Sequence, residues 1–324
     1  MATFTPLPEE EARALLEAYD LGELRRVVPI PEGSVNSNFR LETEKAGERS
    51  AWFLRLFEEQ GAEGAEYDAA LLSHLAREGV PTPCPVVRAD GGSVSFVFGD
   101  KPATLFPFVP GASTCQRAVD RARAHAVGRA LAQVHVAGAS FPMRRQGRFR
   151  LEDLHARMPR IAAAEDPAIA AMAKVLPDEL ARWCDARTDV PEGVIHGDLF
   201  RDNVLFRAES GEGHDEVAAL LDFESASDGR LVYDLAVTIL AWSQRDAFDP
   251  QTAAAILDGY GSIRPLEEIE RRALRGELAI AALRFTTTRI TDYALRSGIG
   301  ARVIKDWRRF WERYRAVQEI EPFW

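Results

Sequence analysis

HGDLFRDNVLF (residues 196–206) and LDFE (221–224) give this chain three oxygen-bearing side chains in a fixed order: Asp198, Asn203 five residues on, and Asp222. An apolar run precedes the first segment (VPEGVIH, 190–196), a second follows it (NVLF, 203–206), and a third ends in the later aspartate (VAALLDFE, 217–224). Short strands that carry acidic groups at their ends converge oxygens on one point. H-G-D or D-N alone is ordinary turn chemistry, and His196 alone is an ordinary structural histidine. The combination in this strand context does not reduce to turns.

The residue types point to phosphoryl transfer. Asp198 would take the proton of an attacking hydroxyl and Asn203 would offer a neutral oxygen to Mg²⁺. Asp222 would give an anionic oxygen to the metal bridging the phosphates of ATP. Protein kinases write the same device as H-R-D-x-x-x-x-N followed by D-F-G. Here Gly197 stands for the arginine and Glu224 for the final glycine.

Composition narrows the field. With 324 residues, 46% of them hydrophobic, the chain can bury a full core and divide into two lobes. A net charge of −10 argues against a nucleic-acid surface and gives no attraction to anionic membranes, although it could favour cationic substrates. Cys84, Cys115 and Cys184 are scattered, as reduced thiols of a cytoplasmic protein would be. The N-terminal text lacks the regions of a signal peptide. The most apolar window (231–242) is too short to span a bilayer and contains Asp234.

Along the chain, residues 8–19 read as a helix, followed by strand-like runs at 24–30, 38–43 and 51–57. A helix over 64–78 ends at Gly79 and Pro81, and strands at 93–98 and 102–109 flank the hairpin Gly99-Asp100-Lys101. Pro107 and Pro110-Gly111 mark a hinge, so residues 1–109 form a nucleotide-binding N-lobe and 110–324 a C-lobe with the catalytic loop. From about residue 116 one long amphipathic helix is expected, then two more before the catalytic loop, and mostly helix from Leu231 to about Gln318. The segment 209–216, with His214, reads as a surface hairpin loop. The fold class is α+β: a small antiparallel-sheet N-lobe and a larger, mostly helical C-lobe, as in a two-lobed protein kinase.

The loop 31–43 lies where such a fold covers the phosphates. It has one glycine, so Ser34, Asn36, Ser37 and Asn38 would supply the donors instead. The following strand offers Arg55 as the phosphate cation in place of lysine. Glu66, with Asp68 as the alternative, would pair with it. Residues 105–109, which include Phe106 and Phe108, would line the adenine.

The chain resembles the homoserine kinases of the aminoglycoside-phosphotransferase-like type, within the protein-kinase-like superfamily. FTPL (4–7), EGSVNSNF (32–39), LAREGVPTP (75–83), GDKPATLFPFVPG (99–111), HGDLFRDNVLF, YDLAVTILAW (233–242) and ALRFTTTRITDY (282–293) carry the resemblance nearly end to end. It implies ATP- and Mg²⁺-dependent phosphorylation of the L-homoserine hydroxyl, a step in threonine biosynthesis. Two places depart from the family's text. DFESASDG stands where D-F-Y is usual, and Ala241 precedes Trp242 where an acid is common.

A homoserine site also needs a cation for the carboxylate and an acid for the ammonium. Arg201 and Arg289 are candidates for the first, Glu224 and Asp292 for the second. Arg289 and Asp292, three apart, share a helical face, and that spacing equally suits a surface ion pair. A kinase for another hydroxylated amine, and a nucleotide-binding pseudokinase, are the competing readings.

Overall fold

Period-two alternation in successive runs produces an antiparallel meander: β1 (Glu23–Ile30), β2 (Ser37–Lys45) and β3 (Glu48–Leu56). The two-residue turn Ala46-Gly47, both at positive φ, closes the β2–β3 hairpin. β4 (Val94–Val97) and β5 (Lys101–Pro107) complete a five-stranded sheet of order β1-β2-β3-β5-β4. The computed structural model describes residues 5–31, 35–207, 215–244, 247–295 and 305–320. Ser34, His214 and residues 209–214 of the expected hairpin lie outside them.

The sheet belongs to the first of two compact units, Met1–Pro110 and Gly111–Trp324. Its two faces are distinct because strand neighbours point alternately. Leu41, Leu54, Leu56 and Leu105 turn towards α1 (Glu9–Leu16), whose Ala12, Leu15 and Leu16 join them in one apolar cluster. Register places Asn38 opposite Arg55, Arg55 opposite Thr104, and Phe53 opposite Phe106, so these residues share the other face. Val94, also on that face, packs with Ala65 and Ala69 of α2 (Ala62–Arg77).

In the second unit α3 (Arg121–Gly138) starts five residues later than the expected helix at 116. Asp120 explains this: its side chain caps the helix by accepting from the Arg123 N–H. Three helices, not two, precede the loop at residues 196–203: α4 (Leu151–His155), α5 (Met158–Ala162) and α6 (Pro167–Asp185). Two short ribbons follow. β6 (Glu192–Ile195) pairs with β9 (Ser227–Arg230), and β7 (Val204–Phe206) pairs with β8 (Val217–Leu220). The remainder is α7 (Leu231–Trp242), α8 (Pro250–Gly261), α9 (Glu268–Arg289) and α10 (Arg308–Glu319). Helix α9 packs against α6, α7 and α10, and its core face carries Leu274, Leu278 and Ala281. Among the described residues no helix is long and apolar enough to cross a membrane.

Helices α3 and α8 cross at backbone contact. A Cβ on Gly259 would lie 1.9 Å from the His125 carbonyl oxygen, and one on Gly128 would lie 2.0 Å from that of Ile256. Each position therefore has room for hydrogen alone. Gly259→Ala should force the pair apart and lower unfolding stability by about 2–3 kcal/mol, read as a shifted urea midpoint. An unchanged midpoint would contradict the close crossing.

Candidate active site

The loop between β6 and β7 is built downward from one buried carboxylate. Asp234, in the first turn of α7 and fully buried, accepts from the backbone N–H of His196 at 2.6 Å through Oδ2 and from Gly197 at 2.8 Å through Oδ1. Oδ2 also accepts from His135 Nε2 of α3 at 3.0 Å. His135 Nδ1 then faces the Tyr260 hydroxyl of α8 at 2.7 Å, and Arg264 and Glu270 continue the chain. Burial would push the Asp234 carboxyl up, yet the His135 bond and the backbone donors hold it below the ordinary carboxylate value.

Gly197 must turn through φ +76, and a Cβ there would meet the Ser225 carbonyl oxygen at 2.9 Å. That is the physical reason the position is glycine and not the arginine of H-R-D. His196 is fully buried, stacks on Phe223 at 4.5 Å between ring centroids, and its Nε2 lies 2.9 Å from the Leu221 carbonyl. The carbonyl can only accept, so Nε2 carries the proton and Nδ1 accepts from the Asp198 N–H at 3.3 Å. Leu221 N–H donates to the Asn203 carbonyl at 2.8 Å. Two loops distant in sequence are thus one body.

On that body stand the three residues singled out by spacing. Asp198 is about one-third exposed at its side chain. Burial pushes its carboxyl above the usual range; Arg284 and Lys305 oppose this, and the charge of Asp222 adds to it. Asn203 donates its amide nitrogen to the Asp198 carbonyl at 2.8 Å, which leaves the amide oxygen as its acceptor. Asp222 sits at φ +63, ψ +62, a left-handed conformation that a non-glycine residue adopts at a cost of about 1–3 kcal/mol. The following turn, Phe223–Ser225, contains Glu224 and is clamped by Arg145, which donates to the carbonyls of Phe223 and Ala226.

Two of the other proposed substrate residues have separate partners. Asp292 pairs with Arg157 at 2.5 Å, while Arg289 donates to the Asp306 carbonyl and lies over the Phe310 ring at 4.3 Å. The two therefore do not form the expected mutual pair. The reason is local: α9 ends at Arg289 and a wider π-type turn carries Asp292 (Ile290–Ala294). Burial pulls Arg289 down to about 10 and also lowers Arg201. Spacing gave no hint of Arg284, which approaches Asp198 at 3.6 Å from α9, nor of Asp234 and His135. One signal existed for Asp234: a lone acid inside an otherwise apolar helix.

In the first unit, Asn38, Arg55 and Phe106 share one sheet face, with the Phe53 and Phe106 ring centroids 6.3 Å apart. Phe108, two residues past Phe106, lies under the Arg40 guanidinium at 4.8 Å. Ser37 differs from these in its side-chain direction. Alternation turns it to the α1 face with Leu56, where its hydroxyl donates to Glu58 Oε1 at 2.5 Å. Asn36 Oδ1 accepts from the Glu58 N–H at 3.1 Å. Glu58 also takes bonds from Lys101 and Thr5, and these outweigh burial to hold its carboxyl low. Both side chains brace the loop. Glu66 is exposed, because the inward face of α2 falls on Ala65, Asp68, Ala69 and Leu72, and the buried one of the two candidate acids is Asp68.

Residues 26–276 match the phosphotransferase enzyme family, APH, and the chain belongs to that family, whose members are kinases of small molecules. Its relatives include the homoserine kinase of Brucella melitensis, 35% identical over 327 residues that cover 99% of this chain and 96% of that one. The homoserine kinase of Methylocella silvestris is 36% identical over 300 residues, 90% and 88% of the two chains. Among solved structures, an amicoumacin kinase in complex with AMP-PNP, Ca²⁺ and Ami has a TM-score of 0.69 at 16% identity, covering 97% of this chain and 96% of that one. A spectinomycin phosphotransferase in complex with ADP and spectinomycin has 0.64 at 12%, covering 98% and 96%. These two share the fold.

Asp234→Asn should test the anchor, since an amide nitrogen in place of one oxygen would face N–H donors. We expect a loss of about 3 kcal/mol at neutral pH. Because the folded carboxyl is held low, that contribution is present above the unfolded value of about 4 and vanishes as pH falls through the lower folded value. Chemical melts of the two proteins should therefore converge in acid. Gly197→Ala should cost about 1–3 kcal/mol and depress turnover together with stability.

Proposed function

We propose that the chain transfers the γ-phosphoryl group of ATP, with Mg²⁺, to the side-chain hydroxyl of L-homoserine, serving threonine biosynthesis in the cytoplasm. One observation carries the chemistry. Asp198, Asn203 and Asp222 stand on two loops held as one body by the Leu221–Asn203 and His196–Leu221 bonds. The homoserine kinases matched over nearly the whole chain supply the acceptor.

The donors suit a hard divalent cation, which prefers carboxylate and amide oxygens. Among the described residues no group of three His, Cys, Asp or Glu could hold a metal, so Asn203 and Asp222 would share the ion with phosphate oxygens and water. When bound, the magnesium nucleotide supplies the transferable phosphoryl group and neutralises its charge. The chain's own part is positioning and proton transfer. Asp198, oriented by its N–H on His196 and its carbonyl on Asn203, accepts the hydroxyl proton. Its raised pKa makes it a better base than a solvated aspartate.

On the nucleotide side, residues 1–109, we assign phosphate contacts to Arg55 and Asn38 and to the backbone of the loop that includes Ser34. Phe106 and Phe108 would lie along the adenine. Arg201, Glu224, Arg289 and Asp292 belong to residues 110–324, to which we assign the acceptor.

The test is ADP release with Mg-ATP on a panel of L-homoserine, choline, hydroxylysine and an aminoglycoside. Homoserine-dependent turnover supports the proposal, turnover on another member alone replaces the acceptor, and none at all points to a non-catalytic nucleotide binder. Asp198→Asn should lower kcat by about a thousandfold or more. Its melting temperature at pH 7 should hold or rise, because the ion it removes is one that burial disfavours. The same raised pKa places the acid limb of wild-type kcat/KM above the ordinary carboxylate value of about 4. A limb at or below that value would remove Asp198 as the base.

A further inference from the structure

Helix α9 buries three charges one heptad apart: Glu270, Glu277 and Arg284, with exposures of 0%, 1% and 3%. The fold provides for the first two. Glu270 takes Arg264 at 2.9 Å, and Glu277 takes both Arg187 and Arg230 at 2.7 Å. Arg284 is treated differently. Its Nε and Nη1 have no hydrogen-bond partner among the described residues, and the Asp198 Oδ1 stands 3.6 Å from Nη1, beyond hydrogen-bond reach.

A buried guanidinium with unmet donors is costly, so something must hold it in place. Two aromatic rings do. The Arg284 Cζ lies 3.8 Å from the ring centroid of Phe149 and 3.8 Å from that of Phe285. Rings grip a guanidinium by its flat faces and leave the N–H groups, which lie in its plane, unused. The result is a cation fixed in direction, with donors unspent, beside the residue that receives the acceptor's hydroxyl.

We infer that Arg284 is the specificity-determining residue for the acceptor, binding an anionic carboxylate on the hydroxylated substrate next to Asp198. This rests on the reading of Asp198 as the base. The surroundings agree in sign, since the charges of Lys305 and Arg289 also act on Asp198. A purely cationic acceptor would meet repulsion here, despite the chain's net charge of −10. An α-amino acid with a side-chain hydroxyl fits, because its carboxylate can meet Arg284 while the hydroxyl meets Asp198. The transferring phosphoryl group is the other anion that could come near, and the experiment separates the two.

Kinetics would compare L-homoserine with L-homoserine amide, which keeps hydroxyl and ammonium but replaces the carboxylate with a neutral group. Wild type should prefer homoserine in kcat/KM by about a hundredfold or more. Arg284→Leu should erase that preference by lowering kcat/KM for homoserine at least about tenfold more than for the amide, whose own loss reports the effect of the missing charge on Asp198. Arg284→Lys, the milder change, should keep part of the preference and lose mainly in KM. Equal losses on both substrates in either variant would overturn the inference and assign Arg284 to the phosphoryl group or to holding Asp198. No preference in wild type would overturn it as well. Calorimetric binding of the two compounds to Asp198→Asn reads the carboxylate preference without turnover: a preference supports Arg284's role, and its absence overturns it. Turnover retained by Asp198→Asn would instead remove the base assignment.

Discussion

The Asp234 carboxylate, bonded to the N–H groups of His196 and Gly197, is the interaction on which the rest of the candidate site depends. A loop shaped to present Asp198, the base we propose, cannot take its form from a regular ladder, so its backbone donors need an external acceptor. Asp234 is that acceptor, and it stands on α7, inside the helical core. Its own charge is held by His135, whose other nitrogen meets Tyr260 on α8. The close crossing of α3 and α8 at Gly128 and Gly259 therefore reaches the catalytic loop through two side chains. Core packing and loop geometry are one system here.

The fold was legible wherever periodicity and punctuation agreed. The strands of the first unit are apolar runs divided by turn residues, and Gly79 and Pro81 stop α2 as expected. Helix α3 was misread at its start because QRAV continues the helical pattern, while Asp120, a better cap than interior residue, sets the actual beginning. In the site, the oxygen-bearing trio could be found because five-residue spacing and flanking strands survive in sequence. Alternation turns the Ser37 and Asn38 side chains to opposite faces, a division that the sequence alone does not assign to one ligand or another. Asp234, His135 and Arg284 could not be joined to the site from sequence, since nothing in a linear text says which helices meet a loop.

Arg284 also shows why composition misleads about a local field. Acidic residues outnumber basic ones, 50 to 40, yet the groups gathered near Asp198 from α9 and the segment before α10 are cations. Burial lowers Arg289 to about 10 and Arg313 to about 9. Phe310 lies against both guanidinium groups at 4.3 Å, so the same aromatic device recurs. Net charge describes the surface; the site is set by which side chains the helices turn inward.

Two aspartates near one loop are driven in opposite directions, and their environments explain the division of labour. Asp234 is fully enclosed, but N–H donors surround it, so ionisation is favoured and the residue serves as a fixed acceptor. Burial penalises the Asp198 carboxylate too, but here the Arg284 cation stands off at 3.6 Å and Asp222 adds repulsion, so ionisation is disfavoured and its proton affinity rises. A base needs that affinity and an anchor must avoid it. Exchanging the roles would require moving the donors, not the carboxylates. That asymmetry of hydrogen bonding separates the aspartate we propose as base from the structural one, although the two are alike as residues.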